Sequence, residues 1–149
     1  MAASWIAKLP ERKKRLLLEV LKERYQDELA DAKVVEEAAK GVPYPELREV
    51  LLRIARREKR HAELLAERIK ALGGTPPPPP EVREGATWQE LLEALESEKA
   101  DRIRYIEEAY GLGDPEIKRL FERIKEEEEQ NYRELLEVLS KLDPYAEGA

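Results

Sequence analysis

The chain has no cysteine. Disulfides, thiolate metal sites, iron–sulfur centres and four-cysteine iron sites are therefore excluded. No apolar run reaches the roughly 18 residues that a membrane span requires. The N-terminus lacks the charged segment and long apolar stretch of a signal peptide. The expectation is a soluble cytoplasmic protein with no membrane role. Histidine occurs once, at His61, and asparagine once, at Asn131. Methionine and phenylalanine also occur once each, and glutamine is scarce. Glutamate, lysine and arginine are abundant, a bias shared with thermophile proteins.

Charged residues make up 40% of the 149 residues, with a net charge of −6. Basic and acidic side chains are interspersed, which leaves no electrostatic footprint for nucleic acid. A chain of this length is expected to form one domain, residues 1–149, with long helices and solvated outer faces.

Glycine and proline punctuate four amphipathic segments. The predicted helices span about 10–40, 45–72, 87–110 and 115–142, with a crossover at 73–86. Pro10, Pro45 and Pro115 suit first helical turns. Gly41, Gly73-Gly74 and Gly111 stand at helix ends. Thr87 with Glu90 forms a capping-box pattern, and Asp114 is placed to cap the fourth helix. Five prolines, Pro76 to Pro80, form a stiff extended spacer. Short turns join the first and second helices and the third and fourth. The expected fold is all-α: an antiparallel four-helix, ferritin-like bundle of two hairpins joined by a long Pro-rich crossover. The alternative is a linker between two hairpins that each pair with another chain.

The halves repeat at an offset of 70 residues. Residues 21–72 align with 91–142 in 52 ungapped pairs, of which 16 are identical. Glu28/Glu98, Asp31/Asp101, Gly41/Gly111, Pro45/Pro115 and Glu58/Glu128 are among them. The shared Gly and Pro punctuation points to a duplicated helical hairpin. His61 and Asn131 are repeat mates, and each closes a motif that begins with glutamate: Glu58-Lys59-Arg60-His61 and Glu128-Glu129-Gln130-Asn131.

Glu-x-x-His on a helix places a carboxylate and an imidazole one turn apart on one face. Glu58 and His61 interrupt the apolar stripe Leu47, Val50, Ile54, Leu65 and Leu72. Glu128 and Asn131 interrupt the stripe Ile117, Leu120, Ile124, Leu135, Val138 and Leu142. Glu28 lies within Leu21, Tyr25, Ala32 and Val35, and Glu98 within Leu91, Leu95, Arg102 and Tyr105. Four carboxylates converging in an apolar core would repel one another and cost several kcal/mol each in desolvation. Either they are protonated or a multivalent cation neutralises them, and two divalent cations would balance their charge. Glu127 and Glu129 are expected to face elsewhere, on a solvated acidic surface.

These residues resemble the rubrerythrin-like branch of the ferritin-like superfamily, from about Leu16 to Leu142. The segment from Leu52 to Leu65 is very similar to that family's second helix. The resemblance implies a metal site built from Glu28, Glu58 with His61, Glu98, and Glu128 with position 131. Glu58 and Glu128 would bridge the metals, with Glu28 and Glu98 terminal. Asp101 matches a further carboxylate of the family, and Tyr105 a family tyrosine, either a hydrogen bonder beside the metals or a core aromatic. The implied cofactors are two iron ions, or manganese or zinc, with one metal held more tightly than the other.

Two departures separate this chain from the family pattern. There is no rubredoxin domain, so reducing electrons would come from another protein. Asn131 stands where a second histidine is expected, and a carboxamide is a weaker ligand than imidazole. The expected function is a di-metal carboxylate protein reacting with peroxide or dioxygen, as a peroxidase or ferroxidase. The alternative is a non-catalytic metal-binding or structural bundle with a degenerate second half-site. A homodimer is expected by analogy with the family, with Trp5 and Trp88 as candidate contacts.

Overall fold

The computed structural model describes residues 10–82, 84, 85, 89, 91–93, 96, 107 and 114–142. It is all-helical and has the four-helix bundle architecture of ferritin-like proteins. Three helices are described along their whole length: the first, Glu11–Lys40, the second, Pro45–Ala71, and the last, Pro115–Leu142. Gln89, Leu91 to Glu93, Glu96 and Glu107 are helical residues between the second and last helices. The expected bounds of the third helix, with Thr87, Glu90 and Gly111, lie outside the described residues, as do Trp5 and Trp88.

Local chemistry sets the helix ends. The Gly41 and Val42 N–H groups donate to the Ala38 and Ala39 carbonyls, tightening the final turn of the first helix. Tyr44 is extended, as the residue before a proline must be, and Pro45 opens the second helix. That helix closes in a Schellman motif. Gly73 takes a φ of 82°, its N–H donates to the Lys70 carbonyl, and the Gly74 N–H donates to Ile69. Asp114 caps the last helix, its Oδ1 accepting from the Glu116 and Ile117 N–H groups at 2.9 and 3.1 Å.

The proline run docks on the first helix. Gly74 lies against Leu18. Gln26 donates to the Pro78 carbonyl at 3.1 Å. The Gly85 N–H donates to Glu37 at 3.3 Å. The contacts advance together, so the crossover runs parallel to that helix. Leu18 to Glu37 spans roughly 28 Å of helix. An extended polyproline-type chain from 74 to 85 reaches about 34 Å. The spacer's length thus matches the bundle it must traverse.

Two apolar clusters fill the interior. One gathers Ala32, Val35, Leu47, Leu51, Ile54, Leu135 and Val138. The other gathers Leu17, Leu21, Leu65, Ile69, Ile117, Leu120, Phe121 and Ile124. Among the residues between these sets on the three helices are Glu28, Glu58 with His61, and Glu128 with Asn131. These five are buried. The apolar core is therefore divided by a polar layer at mid-bundle. Among the described residues, no helix is long and apolar enough to cross a membrane.

Candidate metal centre

The polar layer is built by helical register. Glu28 sits one turn before Ala32, facing inward from the first helix. Glu58 and His61 occupy adjacent turns of one face of the second helix, and Glu128 and Asn131 do the same on the last. Glu28, Glu58 and His61 are wholly buried, at 0% exposure. Burying charge on this scale is costly unless something compensates it.

The donor atoms fall into two groups. Oxygens of Glu28 and Glu128 and a ring nitrogen of His61 lie within 4.8 Å of one another. Oxygens of Glu28, Asp31, Glu58 and Glu128 satisfy the same limit. This set of hard carboxylate oxygens with one imidazole suits iron, manganese or zinc. The residues present thus fit a metal centre. Asp31 belongs to the second donor group, although the sequence pattern distinguished it only as the repeat mate of Asp101. Glu98, Asp101 and Tyr105 lie outside the described residues.

His61 reaches across the bundle with both ring nitrogens. Nδ1 faces the cage, 3.4 Å from Glu28 and 3.5 Å from Glu128. Nε2 lies 3.1 Å from Glu127. Burial alone would depress its pKa. Hydrogen bonds to Glu128 and Glu28, and their charges, outweigh burial and hold it up to about 10. Without metal, the ring is therefore an imidazolium donating on both sides. Burial also opposes the charge of Glu127, but the His61 ring and Arg123 hold its carboxyl below the usual range.

The contact with His61 corrects the expectation that Glu127 faces elsewhere. Its helical position is off the inward stripe, but its side chain is long enough to turn back over the imidazole edge. It remains about a quarter exposed, at 24%. Simple helical periodicity does not register such a reach.

Arg24 is a second residue that periodicity misplaced. The stripe included Tyr25, which is half-buried, whereas Arg24 is wholly buried. Its guanidinium lies 3.9 Å from Glu28 and stacks 5.4 Å from the centroid of Phe121. This cation partly offsets the carboxylates at one border of the cage.

Around Asn131 the surroundings differ. Arg57 Nη1 donates to Asn131 Oδ1 at 2.9 Å and to Glu134 at 2.7 Å. Glu134 is also paired with Arg53 at 3.1 Å. Burial would raise the Glu134 pKa, but Arg57 and Arg53 outweigh it and hold the carboxyl below its ordinary value.

Comparison with known proteins agrees with this architecture. A bacterioferritin from Desulfovibrio desulfuricans, with a di-iron site described in different catalytic states, superimposes with a TM-score of 0.80 at 28% identity. The match covers 90% of this chain and 84% of that one. No curated protein matches the chain. The Rubrerythrin family profile matches residues 19–139, most of the sequence, and the chain belongs to the rubrerythrin family.

Proposed function

We propose that this chain is a di-iron carboxylate oxidoreductase that reduces peroxide or dioxygen. The carrying observation is the buried set of Glu28, Asp31, Glu58, Glu128 and His61, whose donor atoms converge at mid-bundle. Membership of the rubrerythrin family and the di-iron site named for the similar bacterioferritin support iron as the metal. Residues 1–149 act as one ferritin-like unit in this reading.

Glu28, Glu58 and Glu128 would hold the metals, with His61 supplying nitrogen through Nδ1. Glu127 accepts from Nε2 and so fixes the ring's orientation and raises its basicity. The apolar clusters on either side exclude bulk water. Glu127 touches both the ring and solvent, which suits it to pass protons between them. When bound, two ferrous ions would supply two electrons, which with two protons convert peroxide to two waters. In this reading an external donor protein returns those electrons, since these 149 residues hold no cysteine for a four-cysteine iron site.

The test is anaerobic loading of metal-stripped protein with Fe(II), followed by mixing with peroxide or with dioxygen. Stoichiometric binding and rapid oxidation are expected, and the faster oxidant separates a peroxidase from a ferroxidase. Absence of both binding and oxidation would remove the proposal. The engagement of Asn131 by Arg57 favours a second reading, a metal protein without turnover. Tight binding with no oxidation would select it.

A further inference from the structure

The repeat relates two contacts made across the bundle. Position 57 is the repeat mate of 127, and position 61 of 131. Glu127 meets His61 across the bundle, and Arg57 meets Asn131 in the reverse direction. They are equivalent contacts with opposite polarity. A carboxylate accepts from an imidazole N–H. A guanidinium offers only donors, so it needs an acceptor and would oppose an imidazolium. Arginine at 57 therefore goes with a carbonyl oxygen at 131.

This pairing turns the Asn131 carbonyl toward Arg57. Arg57 occupies Oδ1 and is itself held by Glu134. The other amide atom is Nδ2, a nitrogen that donates and does not coordinate. Asn131 is 1% exposed, and Nδ2 has no hydrogen-bond partner among the described residues.

Asp31 supplies a substitute. It lies one turn beyond Glu28 and is 3% exposed. Its carboxylate joins Glu28, Glu58 and Glu128 in the donor group that omits His61. The two donor groups share Glu28 and Glu128.

We propose that the cage has two chemically unlike cation positions: one with the His61 nitrogen, and an oxygen-only one that Asp31 completes in place of residue 131. This rests on the reading of the cage as a metal centre. Hard divalent cations such as Mn(II) suit oxygen-only ligation, whereas imidazole favours later metals such as zinc.

Calorimetric titration of the metal-stripped full chain with Mn(II) tests this. Wild type should bind two equivalents of unequal affinity. Asp31→Asn should weaken the second equivalent by more than the roughly 10–100-fold typical of losing an outer hydrogen-bond partner, and spare the first. In that background Asn131→His alone should not restore it, because Arg57 faces the new ring. Arg57→Glu with Asn131→His should. Circular dichroism checks folding of each variant. Should Asp31→Asn fail to fold, wild type still decides. Spin-echo spectra of bound Mn(II) should show nitrogen coupling from only one of the two ions. Coupling from both, one equivalent in wild type, unchanged binding in Asp31→Asn, or rescue by Asn131→His alone overturns the proposal. Absence of any binding in wild type sinks the metal-centre reading as well.

Discussion

Raising the pH should destabilise the chelator-stripped protein and leave the metal-loaded protein almost unchanged. His61 is fully buried and lies within 3.5 Å of Glu28, Glu127 and Glu128. Its pKa in the folded chain is raised from 6.5 to about 10. A raised pKa stabilises the fold below the unfolded value, and that stability is lost as pH rises through the folded value. Between those limits the unfolded chain has released the proton and the folded chain retains it. Each pH unit then costs about 1.4 kcal/mol. Moving from pH 7 to pH 9 should remove roughly 3 kcal/mol, or about 5–10 °C of melting temperature for a chain of this size. As a ligand in the proposed metal-loaded form, Nδ1 would carry no proton. The loaded form should gain stability up to about pH 6.5 and be flat above it. Thermal melts from pH 6 to 9 under argon, with chelator or with excess Mn(II), measure both profiles. His61→Gln should abolish the slope of the stripped form. Equal slopes in the two forms, or a slope that survives His61→Gln, would refute the assignment of His61 as the cage's internal cation.

Three further outcomes are expected. Hydrogen bonding from Lys40 and from the Gly85 N–H holds the Glu37 pKa down at about 2. The associated stability is present above about pH 4.5 and is lost as pH falls toward 2, and Glu37→Gln should remove that pH dependence in an acid titration followed by circular dichroism. Phe121→Ala should cost about 3–5 kcal/mol in urea denaturation, since the ring is fully buried and lies under the Arg24 guanidinium. Asp114→Ala should cost about 1 kcal/mol by the same assay, because it leaves two N–H groups of the last helix without their acceptor.

The helix ends were legible because their causes are local. Gly73 can adopt a positive φ, Pro45 can open a helix, and Asp114 can cap one, without reference to the rest of the chain. The burial of Glu28, Glu58 and Glu128 was legible because a carboxylate within an apolar stripe breaks a regular pattern. Arg24, Glu127 and Arg57 were not. Each has a long flexible side chain, so the position of its Cα does not determine where its charge ends. Arg24 lies beside the stripe yet folds in against Phe121 and Glu28. Glu127 leaves its own outward sector to reach His61.

By itself, the sequence determined the 70-residue repeat, the absence of thiolate chemistry, and the departure at Asn131. These follow from residue identity and period, which folding does not alter. Only the tertiary structure decided what surrounds that departure. Arg57 and Asn131 are 74 residues apart and meet across two helices. Asp31 joins Glu58 and Glu128 only when three helices converge. Ligand sets and charge balance depend on distances of a few ångströms between distant segments, and those distances exist only after packing.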